Sequence, residues 1–106
     1  MLDLGGRVCL VTGSGRRLGR AIAEGFGRVG ARVAVHYHGS ETGARETASL
    51  IEATGGEARL FRADLTEPDA PAALVDAVAA SFGALDVLVN SAAVMERTPL
   101  DEVTPA

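Results

Sequence analysis

The chain has 106 residues, 47% of them apolar, a formal net charge of −4 and one cysteine. This is the composition of one folded domain with a modest core, and it excludes disorder and an internal disulfide. No apolar run approaches the ~20 residues of a membrane span, the N-terminus lacks the basic flank and apolar run of a signal peptide, and the acidic balance argues against a nucleic-acid partner.

Arg7 to Val11 reads as a first strand, with Cys9 as a small buried apolar residue, and a cytoplasmic location is expected. The octapeptide Thr12-Gly13-Ser14-Gly15-Arg16-Arg17-Leu18-Gly19 follows, leading into a segment with Leu18, Ile22, Phe26 and Val29 at helical spacing on one apolar face. Gly30 is placed to end that helix. A glycine-rich turn from strand to helix lets backbone come close to a phosphate and points helix-start amides at it.

Val33 to Tyr37 is a second strand, apolar on both faces, and Ser40 to Ala53 reads as a helix whose buried face carries Ala44, Ala48 and Ile51. Gly55-Gly56 stop it. Ala58 to Ala63 is a third strand. A third helix runs from about Asp69 to Phe82 with Leu74, Val75, Val78 and Phe82 inward, and both Thr66 and Asp69 are candidate caps. Leu85 to Val89 is a fourth strand. Strands alternating with helices of this length imply right-handed crossovers and a parallel sheet covered on both sides. The fold class is therefore α/β, a Rossmann-type doubly wound parallel sheet. The expected strand order is 3-2-1-4, and periodicity alone leaves the flavodoxin-like order open.

Residues 1–106 form one dinucleotide-binding domain in this reading. Thr104-Pro105 reads as the start of a further helix, and a fourth strand left as an apolar edge is unfavourable, so truncation on the C-terminal side is expected.

The octapeptide departs from the strict G-x-G-x-x-G fingerprint, because the glycine after Gly13 and Gly15 is Gly19. Thr12, Gly13 and Gly19 resemble instead the T-G-x-x-x-G-x-G cofactor loop of the short-chain dehydrogenases/reductases. Arg17 stands where that family commonly has its middle glycine. This resembles the pteridine reductase branch, as do His36-Tyr37-His38 followed by Ser40, and Thr98-Pro99-Leu100.

The end of the second strand selects the cofactor. NAD binders place a carboxylate there, whereas NADP binders place neutral or positive donors for a 2′-phosphate. This chain has His36, Tyr37, His38 and Ser40, with no acid before Glu41, and Arg17 is placed to reach the same corner. The expected cofactor is NADPH, held also by Gly13, Ser14, Arg16, Leu18 and Gly19.

The resemblance further implies that Asp64 accepts from the adenine amino group, with Leu65 beside the ring. It aligns Asn90-Ser91-Ala92-Ala93 with an N-N-A-G segment at the cofactor ribose. There Asn90 holds the loop, Ser91 and Ala92 leave room, and Ala93 departs from the family glycine. Val94 to Leu100 is expected to border a substrate pocket.

Family members reduce carbonyl or imine groups with a Tyr-x-x-x-Lys pair. The only tyrosine here is Tyr37, followed four residues later by Glu41, and all ten basic residues are arginine. The catalytic pair is thus not in this sequence, and no catalytic residue or metal ligand is named. The expectation is the N-terminal cofactor half of an NADPH-dependent oxidoreductase, with a small-molecule substrate and a homo-oligomeric assembly at full length. The alternatives are a catalytically inactive dinucleotide-binding or regulatory module of the same fold, and a flavodoxin-like FMN binder.

Overall fold

The computed structural model describes residues 4–15 and 17–91. The elements in chain order are β1 (Val8–Val11), α1 (Arg17–Arg28), β2 (Arg32–Tyr37), α2 (Glu41–Ala53), β3 (Glu57–Arg62), α3 (Ala70–Phe82) and β4 (Val87–Val89). All pairings are parallel and the order is β3-β2-β1-β4, which decides between the two orders left open by the sequence. The turning point of a Rossmann sheet therefore falls between β1 and β4, where the ligand crevice of such folds lies. No helix among the described residues is long and apolar enough to cross a membrane.

The alternation of β1 explains both cores. Cys9 and Val11 point to one face, where they meet Ala23, Val33, Val35, Ala44 and Ile51 under α1 and α2. Val8 and Leu10 point to the other, where they meet Ala34, Leu74, Val78 and Phe82 of β2 and α3. All four β1 residues are fully buried, as expected of a central strand covered on both sides. Burial pushes the Cys9 thiol above its ordinary pKa, and the Asp86 carboxylate adds to this. Asp86 precedes β4 and extends the pairing of its neighbour: its amide donates to the Val8 carbonyl, and its carboxylate accepts the Val8 amide, both at 2.9 Å.

The face that α1 buries differs from the expected one. Leu18 is 67% exposed, Ile22 and Phe26 are half-buried, and the fully covered positions are Gly19, Ala23 and Gly27. Helical spacing at i, i+4 and i+8 makes these a single stripe. Its small side chains let α1 lie so close that a Cβ on Gly27 would stand 2.9 Å from Ile51 Cγ2. In α2 the buried set is Ala44, Thr47 and Ile51, so Thr47 takes the inward place expected of Ala48. In α3, Leu74, Val78 and Phe82 are buried as expected, and Val75 packs at the margin. Thr66 does not cap α3; it closes a turn on Asp64 instead. Asp69 occupies the N-cap position, without a side-chain capping bond.

Candidate functional site

The glycine loop is tied down from three sides. Gly13 makes the turn out of β1 with φ 68, a left-handed conformation open to glycine at little cost. Its amide donates to His36 Nδ1 at 3.0 Å, and the next amide, of Ser14, donates to the His36 carbonyl at 2.9 Å. The Ser14 side chain is fully buried and its hydroxyl donates to the Val11 carbonyl.

On the second side stands α2. Thr47 Oγ1 donates to the Ser14 carbonyl at 2.8 Å and accepts from Arg20 Nε at 3.1 Å. The same arginine reaches the Gly43 carbonyl at 3.2 Å and Glu46 at 2.9 Å. Loop and helix touch backbone to backbone: a Cβ on Gly43 would lie 2.4 Å from the Gly15 carbonyl oxygen.

The third side is the end of β4. Thr12 donates its amide to the Val89 carbonyl and its hydroxyl to Asn90 Oδ1, each at 3.0 Å, and its hydroxyl accepts the Ser91 amide at 2.9 Å. Ser91 Oγ donates to the Thr12 carbonyl. A Cβ on Gly19 would stand 2.2 Å from the Gly13 carbonyl oxygen and 2.9 Å from Ser91 Oγ, so only hydrogen fits there.

These bonds use the amides of Gly13 and Ser14 within the protein. The amides that open α1 are different: the first four of any α-helix have no partner inside it. Among the described residues no bond from outside the helix reaches those of Leu18 and Gly19. Anion-binding capacity therefore sits at the mouth of α1, beside the exposed Arg17.

The expected contacts at the end of β2 divide into two groups. His36 is 3% exposed, and its ring is used on both edges, Nδ1 by the Gly13 amide and Nε2 by the Ala63 carbonyl at 2.9 Å. A direct bond from this ring to a ligand is corrected by that geometry. Burial lowers its pKa from the ordinary histidine value, and the nearby His38 lowers it further against the opposing effect of the Ala63 bond. Tyr37 packs partly against the α1–α2 core.

His38 is exposed, with Nε2 3.8 Å from Asp64 Oδ2. Ser40 occupies the N-cap position of α2 without a side-chain capping bond. Asp64 Oδ1 accepts the amide and the hydroxyl of Thr66 at 3.0 and 2.6 Å. The Thr66 hydroxyl, then its amide, hold the Asp64 carboxyl below the ordinary carboxylate range, with His38 and Arg62 adding to the effect. Glu41, the first acid after β2, is engaged by Arg45 Nε and Nη2 at 3.0 and 2.6 Å.

Leu65 and Asn90 line a common cavity of about 220 Å³ on the α3 face, together with Thr12, Pro71 and Leu88, which is 54% exposed. Arg16, Ala92, Ala93, the segment from Val94 to Leu100 and the Thr104-Pro105 pair lie outside the described residues. Among the described residues no cluster of metal-ligating side chains occurs.

Three residues of this site were not foreseen. Gly43 lies in the first turn of a helix, where glycine is a poor helix former and so signals a close approach. Thr47 is polar at a position i+3 from Ala44 and i−4 from Ile51, a signal of a satisfied buried hydroxyl. Arg20 carries no comparable local signal.

Residues 7–106 match the family of the short chain dehydrogenases. A 3beta-hydroxysteroid dehydrogenase 1 from Eggerthella lenta is 42% identical over 99 residues, which are 93% of this chain and 38% of that protein. A short chain dehydrogenase from Burkholderia cenocepacia J2315, solved in complex with NADP, superposes with a TM-score of 0.83 at 41% identity, covering 97% of this chain and 42% of the other. Landomycin C-6 ketoreductase LanV, solved with NADP and rabelomycin, gives 0.78 at 43% identity, covering 97% of this chain and 44% of the other. The chain thus spans less than half the length of each of these relatives. A hydroxysteroid dehydrogenase and a ketoreductase among them do not support the expected pteridine reductase branch. The loop built on Gly13 and Gly19, the β3-β2-β1-β4 sheet and a family match over residues 7–106 agree: the chain belongs to the short chain dehydrogenase family.

Proposed function

We propose that this chain is the cofactor-binding half of an NADPH-dependent oxidoreductase that reduces a carbonyl group of a small molecule. The observation that carries the cofactor preference is the corner beyond β2. His38 and Ser40 supply donors there, Arg17 is proposed to reach it from the start of α1, and the nearby carboxylates have partners. Glu41 is held by Arg45, and Asp64 gives one oxygen to Thr66 and turns the other toward His38. Such a corner suits a 2′-phosphate better than a ribose 2′-hydroxyl, because its two carboxylates already hold Arg45 and Thr66. Two solved relatives hold NADP, which supports the same reading.

In this proposal the amides at the mouth of α1 hold the pyrophosphate and Arg17 holds the 2′-phosphate. Arg16 contributes from the same loop. Asp64 and Leu65 lie at the base, and Asn90, Ser91 and Ala92 border the ribose. Gly13, Ser14 and Gly19 shape the loop. The bound dinucleotide supplies the hydride from its nicotinamide ring. The residues of this chain bind and orient; the proton donor is the tyrosine of a Tyr-x-x-x-Lys pair that this sequence does not contain. A cytoplasmic location and homo-oligomeric assembly belong to the same proposal.

The test is titration of the full-length protein with NADPH and NADH, followed by turnover on a panel of ketones. Tighter binding of NADPH and NADPH-dependent ketone reduction are expected. Equal affinity for the two dinucleotides overturns the cofactor assignment. Tight NADPH binding without turnover favours the inactive-module reading.

A further inference from the structure

The structure assigns His36 a positioning role: its neutral imidazole, bridging the Gly13 amide and the Ala63 carbonyl, latches the glycine loop to β3, and a protonated ring cannot make that bridge. The inference rests on the reading of this loop as a dinucleotide site.

Nδ1 lies 3.0 Å from an amide nitrogen whose hydrogen points at it, so Nδ1 must present a lone pair. Nε2 lies 2.9 Å from a carbonyl oxygen, so Nε2 carries the proton. The two neighbours together select one tautomer of the neutral ring. Adding a proton to Nδ1 would set two N–H groups against each other in a site that is 3% exposed. The ring then has to leave, or the Gly13 amide has to turn away.

That amide belongs to the turn residue of the loop, and the His36 carbonyl already holds the next amide, of Ser14. One residue of β2 therefore sets two successive peptides of the loop, through its side chain and its backbone. Losing the side-chain half frees the turn against which Gly19 packs.

Among the described residues, the charged groups around the ring come from the ends of β2 and β3. His38 lies beyond β2 on the same strand end and opposes a second proton. Arg62, the last residue of β3, and Asp64 flank Ala63, with Asp64 facing His38 at 3.8 Å. From the loop, Gly13 and Ser14 bring no charge. Burial and His38 both hold the ring neutral, so the latch is closed at neutral pH and opens below the ordinary histidine value of 6.5.

The experiment uses the full-length protein, with NADH as the probe. NADPH carries a phosphate whose second ionisation falls in the same window, as phosphate monoesters titrate near pH 6. Wild type, His36→Asn, His36→Leu and His38→Asn are compared from pH 8 down to pH 5, with folding checked by circular dichroism at each point. Asparagine offers an oxygen near the position of Nδ1 and gains no proton.

Wild-type affinity should hold through neutral pH and fall below pH 6.5, reaching a slope of about tenfold per pH unit for the one linked proton. His36→Asn should bind within about threefold of wild type and lose the pH slope, while His36→Leu should bind at least about tenfold more weakly at every pH. His38→Asn should keep the slope. A wild-type affinity independent of pH, a slope retained in His36→Asn, a slope lost in His38→Asn, or wild-type affinity in His36→Leu overturns the proposal. Hydrogen exchange at the Gly13 amide separates the two failures. If the amide is protected in wild type and released in His36→Leu but no dinucleotide binds, the reading of the site fails and the proposal with it. If dinucleotide binds and the amide is equally protected in both, the latch alone is refuted.

Discussion

Thr47 Oγ1 stands 2.8 Å from the carbonyl oxygen of Ser14, so a fully buried hydroxyl on α2 holds the backbone of the β1–α1 loop. Replacing Thr47 by valine keeps the shape and removes the bond, leaving the Ser14 carbonyl without this donor and Arg20 Nε without this acceptor. The expected loss is about 1–3 kcal/mol of stability, read from the midpoint of denaturant unfolding. Dinucleotide affinity should fall as well. Thr47→Ser, which retains the hydroxyl, should recover most of both.

Three glycine-to-alanine substitutions should separate close approach from helix propensity. Gly19→Ala puts a methyl 2.2 Å from a backbone oxygen, and Gly43→Ala puts one 2.4 Å from another. Neither obstacle is a flexible side-chain end, so each variant should lose at least about 2 kcal/mol and dinucleotide binding. Gly25 lies in the same helix as Gly19 with nothing within 4 Å of its added Cβ, so Gly25→Ala should gain about 0.5–1 kcal/mol from propensity alone. Thermal melts of the three proteins side by side check the contrast.

Cofactor choice should respond at Arg17 and His38. Arg17→Gly should weaken NADPH by about tenfold or more while NADH changes little, since a guanidinium on a phosphate adds a charge-assisted pair that the hydroxyl form lacks. Position 36, first expected to touch the phosphate, is buried, so the reversal of preference belongs to His38→Asp instead. Competitive binding of the two reduced dinucleotides measures both. Equal losses for NADPH and NADH in Arg17→Gly would remove it from the 2′-phosphate corner.

Stability should fall with acid in two stages. The folded-state pKa of His36 is depressed, so the unfolded chain takes up its proton first; the contribution is complete above 6.5 and is lost as pH falls below that value. The Asp64 carboxyl is also depressed, so its contribution is complete above 3.8 and is lost on further acidification. Urea midpoints measured from pH 8 to pH 3 should show the first decline in wild type and its absence in His36→Asn.

The parallel α/β class and all four strands were legible, β1 and β2 most plainly because they are covered on both faces and read as unbroken apolar runs. The contact face of α1 was not. A periodic search weights large side chains such as Leu18 and Phe26, while the real contact is made where side chains are missing, at Gly19 and Gly27. The site was legible as a loop and a strand end, since glycine spacing and the lack of an early acid are local facts. The direction of each ring and hydroxyl was not local. His36 turns inward because β3 places the Ala63 carbonyl beside it, and Thr47 turns inward because α2 meets Gly15. Both are contacts between segments more than twenty residues apart in the chain.

Cys9 sits at the centre of all this, fully buried on β1 between β2 and β4, and it is the sole thiol of the chain. A reagent that alkylates it must wait for the middle strand to be laid bare. The rate of labelling under native conditions is therefore a clock for opening of the sheet itself. Any ligand that closes the crevice between β1 and β4 should slow that clock in proportion to its occupancy, with no tag or dye added to the protein.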